Sequence, residues 1–600
     1  KICFIMKLVN SFLTLSLLLC SIFFLIGCTD EFENIDSSSV NVRSIVTERG
    51  GNVSSKIALL HMNPVLGDKN ANIGKLESLV AKTFINGANI VVTPELSTSG
   101  YCITKEQVFD GLGLVEPFDE LVKIKEMAIR NNGYVFVGLP EIADNVAYNT
   151  VAVFGPRGYI GKQRKRAKSE WHEVGNLPYD VIKTPYGDIG FLICSDAYLP
   201  DITRILSLKG ADILVSSANW WGEGISATQL DIWKTNAHDN SVWNFVANRW
   251  GTETDNRNGY SYVYDMSTAP SAIINPFGDV VFSYMASEDN LSKDTIFFGT
   301  ATVPVERIGS TYTNAFSINN RKTSAYQAIG NDYYNPDNGN LGVPGLPNAG
   351  LLSCASLSYV PSANLKGNME ILRDIFRQKD IKTDVVVAPA LGLGRQIIDI
   401  KKEDWYKEIA ELQSLVDENK ISLFATTVQL STDVNTIGLL VVQEGREAQI
   451  IPQIHDRFTW LGIGKTPYYL DLPNARIGIV TGTDFNFPET TTSLAKSGVD
   501  IILISSDLGK TNEDNSDNYY WNVEQLKSLI LTRSNHCVHL LLADHLGVAM
   551  GLRSEWGTVA ELKMTESNKD IVTMELNAVD TRTKYLNRYQ PFDLVTLIGH

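Results

Sequence analysis

The sequence predicts an α/β fold that is built twice. Two observations carry this. From Lys56 onward, apolar runs of strand length alternate with runs of helical spacing. The same order of elements then returns in the second half of the chain. The length agrees, because 600 residues exceed what one ordinary core organises. The expected boundaries are a leader over 1–28, a tether over 29–55, a first domain over 56–310, a linker over 311–350 and a second domain over 351–600.

Each element has a local reason. "IALLHM" after Lys56 is a strand, and "NIGKLESLVAKTF" places Ile73, Leu76, Leu79, Val80 and Phe84 on one helical face. "ANIVVTPE" is a buried strand running into a polar end. "YVFVGLPE" and "NTVAVFGPRGYIGK" alternate more and read as antiparallel strands joined at a Pro-Arg-Gly turn. "IGFLIC" is a strand, "DITRILSLKG" a helix closed by Gly210, and "ADILVSSANW" a strand. The region 311–350 is rich in Asn, Gly, Pro and Tyr and reads as linker.

After it, "NMEILRDIFRQ" matches the first helix, "DVVVAPALG" matches "NIVVTPELS", and "ISLFATTVQ" matches "GYVFVGLPE". "NTIGLLVVQEGREAQII" matches "NTVAVFGPRGYIGK", and "SLAKSGVDIILISSD" matches "SLKGADILVSSAN". Several matches in one order imply an internal duplication, with a period too long for a solenoid.

Composition is ordinary for a globular protein, with 44% apolar and 20% charged residues. The net charge of −16 argues against a nucleic-acid partner, which needs a basic surface. The first residues read differently. Met6 reads as a start, followed by Lys7 and the apolar "LVNSFLTLSLLLCSIFFLIGC". A charged start, an apolar stretch and a small-residue exit form a secretory signal. The exit "FLIGC" resembles the bacterial lipoprotein box, which implies lipidation at Cys28 and attachment to a lipid bilayer. A plain transmembrane anchor is the alternative. The acidic "TDEFEN" that follows resembles a surface-export signal of Gram-negative lipoproteins. The expected location is the periplasmic face or the cell surface of an outer membrane. Of seven cysteines, Cys102, Cys194, Cys354 and Cys537 lie beyond the leader, with no CxxC spacing. They suggest neither a zinc site nor a disulfide framework.

The chemistry gathers at strand ends. Glu95 stands in "TPELSTSGY", Glu141 in "GLPE", Lys165 in "GKQRKRAK" and Cys194 in "ICSD". On these motifs the chain resembles the nitrilase, or carbon–nitrogen hydrolase, superfamily and its Glu–Lys–Cys triad. "SSANW" and "NSVWNFVANRWG" extend the likeness, which runs from Lys56 to about Arg307. "RAKSE" and "NAHDN" depart from the family's usual lysine and helix motifs. The resemblance implies an α-β-β-α sandwich. Two such sandwiches in one chain imply a four-layer internal pseudo-dimer, with a lid or specificity element as the rival role for the second copy. It also implies catalytic roles for Glu95, Lys165 and Cys194.

Physical chemistry agrees with those roles. A free thiol is mostly protonated at neutral pH, so attack on an amide needs an adjacent base. A buried carboxyl such as Glu95 suits that task, and the compact cation of Lys165 suits the oxygen that becomes negative. Glu141 is expected to hold Lys165 and position substrate. Each residue has an ordinary alternative: a buried cysteine packs as a small hydrophobe, Glu95 follows Pro94 as a surface turn would, and "KQRKRAK" is a solvated run. Their joint order favours chemistry. In the second copy Ala390, Gln429, Ile454 and Gly482 stand where Glu95, Glu141, Lys165 and Cys194 stand in the first. That copy is expected to be non-catalytic.

The expected function is an exported, lipid-anchored amidohydrolase acting on a linear, non-peptide C–N bond through a thioester. Three substrate classes compete: a general linear amide, a carbamoyl amide, and the pantetheine or biotin amides of the vanin and biotinidase branch. Nitriles rank lower. N-acyl transfer would need several membrane spans. The non-enzymatic rival is a surface binding protein with a vestigial site. A cysteine protease would need a base histidine in a Cys/His motif. No cofactor or metal is implied, and "HCVH" around Cys537 reads as core or surface. Tyr101, Trp220 and Trp221 are expected to contact substrate. A homo-oligomer is an alternative or an addition to the internal pair.

Overall fold

The computed structural model describes residues 51–166, 169–222, 229–256, 261–289, 293–308, 316–331, 342–362, 364–379, 383–393, 402–430, 436–455, 464–509, 521, 523–534, 538–545, 547–553, 559–565, 569–582 and 598. The expected leader, Cys28 and most of the tether lie outside them, as do His536 and Cys537. None of the described helices is long and apolar enough to cross a membrane.

The chain folds as mixed α/β structure with several sheets. The first half holds β1 (Asn52–His61), β2 (Ile90–Val92), β3 (Tyr134–Ala143), β4 (Val146–Gly155) and β5 (Gly158–Arg164). Then follow β6 (Ile189–Ile193), β7 (Ile213–Ser217), β8 (Trp243–Ala247), β9 (Thr252–Asp255) and β10 (Tyr262–Asp265). The half closes with β11 (Ser271–Ile274), β12 (Val280–Tyr284) and β13 (Thr295–Pro304). One sheet has the order β13-β1-β2-β3-β4-β5, and a second has the order β12-β11-β8-β7-β6.

Residues 351–582 repeat this plan. They contribute β14 (Leu351–Tyr359), β15 (Val385–Ala390), β16 (Leu423–Leu430), β17 (Thr436–Val442) and β18 (Gln449–Pro452). After these come β19 (Tyr468–Leu472), β20 (Ala475–Thr481), β21 (Ile501–Ser505) and β22 (His539–Asp544). The last three strands are β23 (Gly547–Arg553), β24 (Val559–Thr565) and β25 (Lys569–Asn577). The orders are β25-β14-β15-β16-β17-β18 and β19-β20-β21-β22-β23-β24. Apart from β19, and from the separate β9–β10 pair of the first half, the orders match strand for strand among the described residues.

Helices cover the outer faces. In the first half these are α1 (Lys69–Ile85), α2 (Val122–Arg130), α3 (Pro200–Leu208) and α4 (Gln229–Asn240). In the second they are α5 (Leu365–Lys379), α6 (Lys402–Glu418), α7 (Pro488–Lys496) and α8 (Val523–Ser534). The starts are set locally. Asp68 caps α1 by accepting the Ala71 N–H at 3.0 Å, and Pro200 and Pro488 open α3 and α7. β6 and β7 are parallel and buried along their whole length, which is why Ile189–Ile193 and Ile213–Val215 show no polar alternation.

Three layers of apolar contact follow. Ile57, Val92 and Phe136 face Ile193, Val215 and Phe245 between the two sheets of the first half. Ala58, Val91 and Val135 of the first sheet meet Leu76, Val80 and Ile124 of α1 and α2 on its other face. In the second half, Val387, Leu439, Ile477 and Leu503 make the matching inter-sheet core.

The halves meet through α3 and α4 on one side and α7 and α8 on the other. Buried Arg533 of α8 donates to Asp239 of α4 at 2.9 Å. Ser528 donates to Asp231 at 2.7 Å, and the hydroxyls of Thr532 and Thr235 pair at 3.1 Å. Glu489 of α7 bonds Arg321 at 2.7 Å and lies 3.1 Å from Arg204 of α3. Each of these buried charges has a partner of opposite sign, without which its burial would be costly.

Candidate active site

β6 ends at Ile193, and the chain turns sharply at Cys194, whose φ is 47°. A side chain in that left-handed region is strained, at a cost of about 1 kcal/mol or more. The turn continues as a short helix, Cys194–Tyr198, which leads into α3. Asp196 in that turn accepts the Arg166 N–H at 3.0 Å, which ties the turn to the segment just past Lys165.

Glu95 follows β2 at the strand's carboxyl end and is fully buried. Lys165 follows β5 and is buried too. The Lys165 ammonium donates to Glu95 Oε1 at 2.6 Å. Asn149 Nδ2 donates to the same oxygen at 2.7 Å. Asn219, just past β7, donates from Nδ2 to the Glu95 carbonyl at 2.8 Å. Its main-chain N–H acts on the Cys194 sulfur and favours the charged thiolate.

Electrostatics couple these groups. Burial pushes the Cys194 thiol up, and the Glu95 charge adds to that, while Lys165 and the Asn219 N–H pull it down; the net direction is well up. Burial alone would discharge Lys165, but Glu95 and Cys194 hold its ammonium well above the usual lysine range. The resting pair is therefore a neutral thiol beside an ammonium. Thiolate forms only when a neighbour removes the proton.

The other expected residues are placed as follows. Glu141 was expected to hold Lys165; its carboxylate is instead on the two neighbouring cations. It takes Arg164 at 2.7 and 2.9 Å, Lys162 at 2.5 Å and the Thr150 hydroxyl at 2.7 Å. Alternation along β5 explains this, since residues next to each other in a strand point to opposite faces. Burial pushes Glu141 up, but Arg164 and Lys162 outweigh it and hold it below the usual carboxylate range. Tyr101 is half-buried, and its hydroxyl feels Lys165, Glu95 and Cys194. Its ring lies 6.1 Å from Trp221 and 5.6 Å from Tyr264. Trp220 is 4% exposed and stacks on Trp233 at 4.9 Å and 7°, a core position.

Sequence reasoning did not single out Asn149 or Asn219. Both stand in stretches quoted above, "NTVAVFGPRGYIGK" and "SSANW", but nothing in a strand pattern marks which asparagine faces a carboxylate. His539 is buried, and its Nε2 meets the Asn577 carbonyl at 3.0 Å.

The carbon-nitrogen hydrolase family pattern matches residues 56–311. The nitrilase of Pyrococcus abyssi is 32% identical over 203 residues, which are 33% of this chain and 76% of that protein. This chain belongs to the carbon–nitrogen hydrolase family, in the nitrilase superfamily. The hydrolase is also similar to the omega-amidase of Danio rerio, with 26% identity over 256 residues, 39% of this chain and 84% of that one. It is similar to the N-carbamoylputrescine amidase of Oryza sativa as well, with 26% identity over 252 residues, covering 39% and 83%.

In the second half of this hydrolase, strand register fixes which residues stand at the corresponding places. Val92 pairs with Phe136 as Val387 pairs with Ala425, which puts Ala390 at the Glu95 position. Leu96 and Leu391, the next residues, share positive φ of 50° and 58°. Cys194 and Gly482 correspond, as β6 pairs with β7 in the same register as β20 with β21. Lys165 corresponds to Gln453, one residue before the expected Ile454. The Lys165 N–H meets the Asn149 carbonyl and the Gln453 N–H meets the Ile437 carbonyl. The Gly175 and Gly464 N–H groups close on the Lys165 and Gln453 carbonyls in the same way. That register also sets Leu430, rather than Gln429, at the Glu141 position.

Proposed function

We propose that this chain is an exported, lipid-anchored amidohydrolase that cleaves a linear, non-peptide C–N bond through a thioester on Cys194. The observation that carries the reading is the 2.6 Å bond between Lys165 and Glu95, with both charges acting on the Cys194 sulfur.

The steps follow from that geometry. Glu95 takes the thiol proton, and the thiolate attacks the amide carbon. The new oxyanion is stabilised by the Lys165 ammonium and by main-chain N–H groups of the turn after Cys194. Glu95 returns the proton to the departing nitrogen, and the C–N bond breaks. Water, deprotonated by Glu95, then attacks the thioester; the C–S bond breaks, the acid leaves, and Glu95 returns the proton to the Cys194 sulfur. Glu141 acts at a distance, by fixing Arg164 beside Lys165.

Two relatives are named for an omega-amidase and an N-carbamoylputrescine amidase, which supports an amide or a ureide as substrate. Export and lipidation at Cys28 rest on the run from Met6 to Cys28. The second half is a degenerate copy that buttresses the first. The recurring strand order and the α4–α8 contact support that reading.

The test is release of ammonia or amine from a panel of amides, ureides, pantetheine and short peptides, with Cys194→Ala as control. Release from a non-peptide substrate that the variant loses, by at least about 10⁴-fold, is expected. Cleavage of peptides alone overturns the bond class. No release, with Cys194 and Cys102 labelled equally slowly by iodoacetamide, overturns the enzyme in favour of a binding protein.

A further inference from the structure

Two opposite faces of α4 do different things. Asp231, Thr235 and Asp239 recur every fourth residue and form one stripe, with His238 beside it. All four meet the second half. Asp231 accepts the Ser528 hydroxyl at 2.7 Å, and the Thr235 and Thr532 hydroxyls pair at 3.1 Å. Asp239 takes the Arg533 guanidinium at 2.9 and 2.7 Å. The ring centres of His238 and Trp521 are 3.6 Å apart. These bonds are directional, so together they fix both the rotation and the height of α4, where an apolar stripe would let it slide.

The far face of the same helix carries Trp233 and Asn236, and both reach the turn that holds the thiol. Asn236 is 1% exposed, and its Nδ2 donates to the Ala197 carbonyl at 2.9 Å. Trp233 stacks on Trp220, which lies 5.2 Å from Tyr198, the last residue of the turn. Cys194 is left-handed, and a strained residue keeps its conformation only where its surroundings over-determine it. Here the turn is clamped twice: Asp196 accepts the Arg166 N–H, and Ala197 accepts Asn236. Asn236 opens "NAHDN", one of the stretches that depart from the family's usual motifs, so this clamp is this chain's own.

We infer that Asn236 is a positioning residue for Cys194 and that the second half sets it. The bonds from α8 to one face of α4 hold the Asn236 amide against the Ala197 carbonyl on the other. A half without the triad thus fixes the pose of the nucleophile in its neighbour. The inference deepens the reading of the second half as a support and rests on the amidohydrolase reading. A shift of α4 as a rigid body moves Asn236 with it, and small misplacements of a nucleophile are costly in rate.

The test uses the full chain and iodoacetamide. Peptide mass mapping reads alkylation of Cys194, Cys102 and Cys354 in one sample; Cys354 is 0% exposed and reports unfolding of the second half. Asn236→Ala should slow Cys194 about tenfold while Cys354 stays unlabelled. Ser528→Ala with Thr532→Val keeps the shapes, removes two of the bonds between the halves, and should slow Cys194 about threefold. All three changes together should slow it about tenfold, not the roughly thirtyfold of independent effects, because both act through one bond. Asn236→Asp keeps the shape but donates only when protonated, so its deficit against wild type should shrink from pH 8 to pH 5. A merely structural role predicts multiplying effects or a deficit indifferent to pH, and either result overturns the proposal. The pH arm decides even if Asn236→Ala does not fold. A wild-type rate in Asn236→Ala, or in the Ser528 and Thr532 variant, also overturns it. If wild-type Cys194 reacts no faster than Cys102, the amidohydrolase reading falls too; a fast Cys194 indifferent to Asn236 removes only this inference.

Discussion

The turn after β2 and the turn after β6 can each be compared with the equivalent turn in the second half, and the two comparisons differ. Leu96 and Leu391 both keep positive φ, although one follows Glu95 and the other follows Ala390. Strain there persists without a carboxylate, so it belongs to the path of the chain. At the other turn only Cys194 is left-handed. Gly482 instead opens a short helix capped by Thr481, whose hydroxyl accepts the Asp484 N–H at 3.0 Å. The residue that could take positive φ at no cost does not, and the one that pays strain is the thiol. Backbone strain marks chemistry only where the equivalent position lacks it.

Rebuilding the second site should fail, and this is the largest expected effect. Gly482→Cys with Ala390→Glu and Gln453→Lys, in a Cys194→Ala background, should leave amide turnover at least about 10⁴-fold below wild type. The new Cβ would sit 3.0–3.1 Å from Asp507 and Ser506 atoms, on a backbone that does not turn as Cys194 does. Recovery of turnover would show that side-chain identity alone separates the halves.

Asp201 and Glu489 sharpen the comparison further. They occupy the second position of α3 and α7, helices that both begin with proline. Burial pushes both up. Arg204 and Arg321 outweigh that at Glu489 and hold it low, while Asp201 is raised to about 6. Glu489→Gln leaves two buried guanidiniums without their anion and should cost about 3–5 kcal/mol in denaturant unfolding at pH 7. A loss under about 1 kcal/mol would mean the halves do not depend on this cluster.

Asp201 gives the smallest effect and the opposite sign. A carboxyl whose folded pKa is raised favours the folded state when protonated, so its contribution fades as pH rises from about 4 to about 6. Asp201→Asn should therefore change stability little at pH 4 and raise it by up to about 3 kcal/mol at pH 8. A variant less stable than wild type at pH 8 would show that the Asp201 charge is well compensated by Thr492 and Lys496.

Much of this was legible before any coordinates. The runs at Ile189–Ile193 and Ile213–Val215 lack polar alternation, as strands of a parallel sheet covered on both faces do. Glu95, Lys165 and Cys194 are legible through their joint order and through motifs that resemble the family's, although Lys165 itself lies in a basic run. The side-chain partners were not legible. Glu141 and Lys165 are close in register, yet strand alternation sends the carboxylate to Arg164 and Lys162. Trp220 and Trp221 are adjacent letters, yet one stacks on Trp233 in the core and the other meets Tyr101 and Tyr264.

The sequence by itself determined the recurring order of strands and helices, and that a thiol stands at Cys194 where Gly482 stands later in the chain. Periodicity and residue type are local properties, readable along one dimension. Tertiary structure decided which cation holds Glu95, which asparagines orient it, and that Gln453 rather than Ile454 faces the place of Lys165. Those are contacts between residues far apart in the chain, fixed by strand register and by burial, and neither is written at any single position.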